Sequence, residues 1–206
     1  MDNIVLKRVG AYFIDLFLVT LIAFFIVQIP FINPYLEKYE ATYEKLEKLE
    51  ENYKDEKIKE EEYILESKKL SYQIDKYNFP YTLVTTACLF GYFVLFQYYN
   101  NGQTFGKKIL KIRIKGYKNK KLKFINYFIR GLVLNSILVN ILLIVSLFIS
   151  KGNTYYYLSF GLSIMESLFM YSTIITMLFR KDNRGLHDII SNTKVVNCED
   201  KRIIDA

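Results

Sequence analysis

The chain has no tryptophan, one histidine, two cysteines and three prolines. Cys88 and Cys198 lie far apart, form no CxxC and have no histidine near them, so neither a disulfide nor a metal site is expected. There is no HExxH, and "NGQTFGKK" has neither Walker A nor dinucleotide-loop spacing. No nucleophile motif appears. These absences argue against an enzyme and against a cofactor, and leave the lone His187 as a local hydrogen-bond donor. The most informative absence is of charge. The chain is 24% charged and 51% hydrophobic, yet residues 9–33, 80–99, 124–150 and 152–179 contain almost no charge. Only Asp15, Arg130 and Glu166 interrupt them.

Each window reaches the roughly 20 apolar residues that cross about 30 Å of hydrocarbon. Helices satisfy their own backbone groups in lipid, and the windows are not the short alternating segments of a transmembrane β-barrel. The expected fold is therefore an all-α polytopic membrane protein with four transmembrane helices. The first window lacks a small-x-small cleavage site and is too long for a signal peptide, so it reads as an uncleaved anchor.

Segregated charge sets the expected topology. Residues 100–123 hold nine Lys/Arg and no acid, the segment after 179 opens with Arg180, Lys181 and Arg184, and Lys7 and Arg8 precede the first span. All three stretches belong on the cytoplasmic side by the positive-inside rule. Residues 35–78 carry thirteen acids and nine lysines and belong outside. The expected organisation is a cytoplasmic amino terminus and first helix (1–34), an external charged insert (35–79), spans two to four with a basic inner loop at 100–123 (80–179), and a cytoplasmic tail (180–206). That places the protein in the cell membrane, in contact with an anionic inner leaflet. The net charge of +7 reflects these lipid-facing loops and not a nucleic-acid surface.

The insert lacks Gly and Pro through "YLEKYEATYEKLEKLEENYKDEKIKEEEYILESKKLSYQIDKY". Its apolar stripe fails over 54–62, and its i,i+4 Glu–Lys pairs favour helix. Two helices turning near Lys54 to Lys59 are expected, as an antiparallel hairpin extending the first two spans. A charged, disordered loop is the rival. In the inner loop, the alternation over 111–115, then "GYKNK" and "KLKF", reads as a short β-hairpin. A strand at 194–197 is available to join it. A basic amphipathic helix sharing Phe105, Ile109 and Ile112 is the rival there. "SKGN" joins spans three and four tightly.

Charge within a span costs at least about 2.5–3.5 kcal/mol on insertion scales and normally faces protein or water. Asp15 lies two turns beyond Arg8 on nearly the same helix face. By depth, Asp15 and Arg130 are placed to pair. Glu166 falls at the level of about residue 137, flanked by Asn135 and Asn140, whose amides suit a neutral Glu166. Packing roles and functional roles both fit these polar residues.

Three separated stretches, "RVGAYFIDLFLV", "NGQTFGKKILKIRI" and "RKDNRGLHDIISNTKVV", together resemble the RDD family of membrane proteins, named for one arginine and two aspartates. The resemblance maps that set to Arg8, Asp15 and Asp188, and the inner-loop motif to Gly102, Gln103, Thr104, Gly106, Lys107 and Lys108. It implies an Arg–Asp–Asp constellation near the inner face, with Asp188 returning toward Arg8 and Asp15 choosing Arg8 or Arg130. The insert at 35–78 departs from the family pattern. For function the resemblance implies transport, with proton-coupled cation exchange among the activities, or an accessory role beside another membrane protein. In the transport reading Asp15 and Glu166 exchange protons, Arg8 and Arg130 are counter-charges, and four spans imply a homo-oligomer. In the partner reading the outer hairpin engages another membrane protein. A third reading uses the basic loop 107–123 to bind inner-leaflet lipid.

Overall fold

The structure, a computed structural model, describes residues 4–198. The first three residues of the amino-terminal segment and residues 199–206 of the tail lie outside the described residues. Helix α1 runs Ile4–Val27, α2 Leu36–Lys54 and α3 Glu60–Phe90. The third helix continues through a π-helical stretch, Gly91–Phe96, and a last turn, Gln97–Tyr99. Then come α4 (Phe105–Ile109), strand β1 (Ile112–Gly116), α5 (Phe124–Leu134), α6 (Ile137–Ile149), α7 (Gly152–Phe179), α8 (Leu186–Ile190) and β2 (Thr193–Asn197). Three helical segments, Ile4–Val27, Glu60–Tyr99 and Gly152–Phe179, are long and apolar enough to span a membrane. The bent pair α5 and α6 makes a fourth if it counts as one span. The architecture is thus an all-α polytopic membrane fold with one small sheet.

The third expected span is broken. Asn135 and Ser136 interrupt it, and Ser136 takes the left-handed conformation at φ 57°. Neither Gly nor Pro announces this break. The second span also differs from its charge-free window: its helix begins at Glu60 and runs through Pro80 without stopping. Membrane helices tolerate such a proline where local adjustment re-satisfies the freed backbone.

The chain forms two compact units. One draws on residues up to Ile22, on Thr85–Leu138 and on the chain from Met165 onward; the other comprises Ala23–Val84 and Val139–Ile164. In the second unit α2 and α3 form a hairpin whose turn falls at 55–59, with Glu56 at φ 57°. Tyr53 stacks on Tyr63 beside the turn at 4.5 Å, and Tyr35 meets Tyr77 at the other end at 6.1 Å. Two tyrosine contacts at opposite ends fix the register of an otherwise charged pair. The Tyr155 hydroxyl donates to Asp75 at 2.8 Å, and its ring meets Tyr72 edge-on.

The first unit is built around the sheet. β1 pairs antiparallel with β2, Ile114 opposite Val195 and Gly116 opposite Thr193. Strand alternation puts Ile112, Ile114, Thr193 and Val195 on one buried face. They pack with Ala11 and Val19 of α1, with Phe93 and Val94 of the π-helical stretch, and with Tyr127. A local hairpin between 111–115 and "KLKF" does not form. Tyr117–Asn119 makes a 3₁₀ turn instead, and Lys123 initiates α5, its N–H held by the Asn126 side chain at 2.8 Å. β1 pairs with the distant strand because that register buries its apolar face, whereas "KLKF" offers only Leu122 and Phe124. Of the rival amphipathic helix only α4 is present.

Gly106 lets α4 touch α1. A Cβ there would collide with the Ala11 carbonyl oxygen, a backbone atom without room to yield. Gly106→Ala should therefore lower stability by about 1–3 kcal/mol. The measurement is thermal unfolding of the detergent-solubilised chain. Gly161→Ala, whose Cβ meets nothing within 4 Å, is the control and should not lose stability.

Candidate functional site

Asp188 sits in the first turn of the short helix α8 and is fully buried. Its carboxylate accepts four hydrogen bonds. Oδ1 takes one from the Arg130 guanidinium and one from Thr193 Oγ1 at 3.1 Å. Oδ2 takes one from the Arg8 guanidinium and one from the Gly185 amide at 3.1 Å. Arg8 comes from α1, Arg130 from α5 and Thr193 from β2, so one carboxylate ties the chain after α7 to two membrane helices. Charge-assisted bonds of this kind are roughly twice as strong as neutral ones.

Both arginines are otherwise committed. Arg8 also donates to the Asn183 carbonyl and to His187 Nε2 at 3.2 Å. Arg130 also donates to Thr193 Oγ1 at 3.1 Å. A third cation, Arg184, braces the clamp from behind. Its guanidinium donates to the Thr193 carbonyl at 2.9 Å and the Asp188 carbonyl at 3.0 Å, and lies 3.8 Å over the Tyr117 ring. In the sequence Arg184 carries only the signature of a topogenic charge, and nothing there announces this bracing role.

Asp15 does not join this cluster. It is fully buried and is held by neutral donors: the Tyr92 hydroxyl at 2.7 Å, the Thr104 hydroxyl and the Gly106 amide at 2.7 Å. The expected pairing of Asp15 with Arg8 or Arg130 is thus corrected. Both cations are spent on Asp188, while α4 presents Asp15 with hydroxyl and amide donors. The π-helical stretch carries the Tyr92 hydroxyl to Asp15 and to the Phe105 amide at 2.9 Å. Asp15 therefore closes the loop motif: Thr104 and Gly106 touch it directly, while Gly102, at φ 79°, accepts from the Ile114 amide at 3.0 Å. The Gln103 side chain donates to the Ile112 carbonyl at 3.0 Å. Lys108 sits in α4 away from these bonds.

An arginine and two aspartates stand at their motif positions in one unit, and the family match agrees with them. The chain belongs to the RDD family. The RDD family model matches residues 4–192. No curated protein and no solved structure gives a significant match. RDD proteins are membrane proteins, and this one is too.

The RDD motif lysine, Lys107, is buried. Its ammonium donates to the Gln97 side-chain oxygen when that amide is oriented to satisfy both its neighbours, and lies 5.9 Å from the centre of the Phe93 ring. It makes no ion pair among the described residues. Burial first, then repulsion from Arg130, pushes its pKa down to about 7 against the attraction of Asp15. His187 is held neutral: burial first, then the nearby arginines, lowers its pKa well below the usual value. Since Nε2 accepts from Arg8, the proton belongs on Nδ1, which is buried without a partner. For Asp188, burial alone would raise the pKa. The Arg130 and Arg8 guanidiniums outweigh it and hold the carboxyl well below the usual range.

Glu166 lies midway along α7. The Ser136 hydroxyl, at the break between α5 and α6, donates to its carboxylate. The expected amide partners do not serve it. Asn135 folds back on the Gly131 carbonyl at 3.4 Å and leaves its buried Oδ1 unpartnered, and Asn140 lies in the other unit.

Removing the Asp188 charge leaves two buried guanidiniums uncompensated, at a cost of about 3–5 kcal/mol. Asp188→Asn should show that loss in thermal unfolding at neutral pH. A depressed carboxyl stabilises fully above its unfolded pKa near 3.8 and loses this contribution progressively as pH falls below it. The gap between parent and Asp188→Asn should accordingly close on acidification. Lys107 has the opposite effect. A lysine with a lowered folded pKa penalises folding fully below about pH 7, and the penalty shrinks as pH rises toward its ordinary 10.5. Lys107→Met should be more stable than the parent at pH 6.5, with the difference shrinking toward pH 10.

Proposed function

We propose that this RDD protein takes part in transport across the cell membrane, exchanging a cation for protons at Glu166. Both termini are cytoplasmic in this reading, the basic loop lies against the anionic inner leaflet, and the working form is a homo-oligomer. One observation carries it: Glu166 is bound by a hydroxyl at a break in a membrane helix. Discontinuous helices build ion sites in transporters because the last carbonyls of a half-helix and nearby side-chain oxygens are free to bind a cation. The end of α5, the unpartnered Asn135 Oδ1, Ser136 Oγ and Glu166 offer oxygens alone, which suits a hard monovalent cation.

The division of labour changes from the expectation that used both carboxylates. Asp15 has three neutral donors fixed around it, so it positions the loop. Arg8 and Arg130 are counter-charges to Asp188. Among the described residues Glu166 is bonded by one hydroxyl, that of Ser136, and it is the group with freedom to exchange a proton. Protonation would release the cation and return the carboxyl to its bond with Ser136.

The test is proton flux driven by a sodium or potassium pulse in vesicles of purified chain. Glu166→Gln should abolish it, and Ser136→Ala should weaken it. Glu166→Gln with unchanged flux would exclude this site. Absent flux from folded parent protein with both cations would favour the accessory role, in which the tyrosine-pinned hairpin of α2 and α3 is the element to present to a partner.

A further inference from the structure

A cavity of about 430 Å³ opens within the first unit, beside the Asp188 clamp. That is within the range of about 300–1,000 Å³ typical of pockets for small molecules. Its two ends differ in chemistry. One end is lined by Arg8, Lys107, Arg130, His187 and Asp15. The other is apolar: Phe13 from α1, Leu134 from α5, and Met170 and Ile174 from α7. Phe13, Met170 and Ile174 keep 64%, 38% and 41% of their surface exposed. The apolar end is therefore continuous with the outer faces of two membrane-spanning helices.

The polar end has unspent capacity of one kind. Arg8 and Arg130 are neutralised in part by Asp188, and Asp15 is satisfied by neutral donors. Lys107 has no carboxylate partner and spends one N–H on Gln97. His187 lines the same end, and its Nδ1 is buried without a partner. When protonated, Lys107 is a positive charge that no carboxylate among the described residues pairs, in apolar surroundings where an uncompensated charge is costly. A ligand with one negative charge cancels it, whereas a dianion would reverse the sign. A neutral lipid would leave it standing.

We propose that this cavity binds a single-chain amphiphile with a monoanionic head, of the fatty-acid class. The carboxylate meets the Lys107 ammonium at the polar end, and the hydrocarbon chain lies between α1 and α7 along Phe13, Met170 and Ile174. The ligand enters from the acyl layer of the membrane, since the apolar wall faces it. Glu166 does not line this cavity, and binding here does not depend on exchange there.

The experiment uses the full chain in nanodiscs of zwitterionic phosphatidylcholine and a long-chain fatty acid carrying a diazirine. Illumination should label peptides of α1 and α7 around Phe13 and Ile174. Unlabelled fatty acid should compete, and its methyl ester should not. Lys107→Met should reduce labelling about tenfold, the scale of one charge-assisted bond, while Lys107→Arg retains it. Ile174→Trp fills the apolar end without touching a charge and should also abolish labelling. It decides the matter should Lys107→Met not fold. Equal competition by the methyl ester, equal competition by two-chain phosphatidylglycerol, labelling outside α1 and α7, or labelling undiminished in Lys107→Met or Ile174→Trp would each overturn the proposal. Glu166→Gln should label like the parent, so failure of the exchange reading and failure of this one are read separately.

Discussion

The bond set around Asp188 is the constraint on which the first unit depends. A carboxylate with zero exposure is tolerable only if its charge and all its lone pairs are met. Two guanidiniums, a threonine hydroxyl and a backbone amide do so. Each donor comes from a different place in the chain, and that makes the bond set architectural. Arg8 orients α1, Arg130 orients α5, Thr193 starts β2 and Gly185 starts α8. Pull the carboxylate out and the sheet loses its tie to both membrane helices. The sheet in turn carries β1, whose far end reaches back through α4 to Asp15. The two aspartates are thus linked in series through the loop motif, although they never touch.

This arrangement explains why two acidic residues of one motif have different chemistry. Asp188 sits outside the spans, among cations, and works as a charge. Asp15 sits within a span, and its partners are neutral hydroxyl and amide dipoles. In low dielectric, pairing Asp15 with an arginine would require a second guanidinium that Asp188 does not already use. The chain instead brings Tyr92, Thr104 and Gly106 to it. A π-helical stretch, with its one-residue offset, turns Tyr92 toward α1, and such stretches are common where a helix serves a site. The absence of a side chain at Gly106 allows the remaining approach.

Much of the fold was legible in the sequence because lipid imposes a crude and strong rule. Runs without charge of about 20 residues are spans, and the gaps in charge were visible at once. The hairpin of α2 and α3 was legible from its lack of Gly and Pro and from the failure of the apolar stripe near 54–62. Pairing was harder. Depth arguments place Asp15 and Arg130 at similar levels, but depth says nothing about which face an arginine presents, and Asp188 comes from a tail 58 residues away from Arg130. The break at Asn135 and Ser136 left no signature of Gly or Pro. The strand at 194–197 was readable from its composition, and so was its availability to the inner-loop β element; that β1 pairs with it and not with "KLKF" was not readable, because packing against Ala11, Phe93 and Tyr127 makes that choice. Arg184 was invisible as a structural residue, since a basic residue beside a span already has a topological explanation.

The charges of the first unit carry the last step. Arg8, Arg130 and Arg184 each have acceptors that consume them, through Asp188, Thr193 and Asn183. Lys107 is the exception, buried with an amide oxygen and a phenyl ring for company. A methionine in its place would have filled the space beside Phe93 without a desolvated charge. Chains of ordinary stability hold about 5–15 kcal/mol in reserve, so a buried lysine with no counter-ion among the described residues is a substantial concession. Stability is commonly surrendered where a group must meet something other than the fold. Lys107 lines a cavity with apolar walls, and the physical logic of that placement is a ligand that brings the missing negative charge with it.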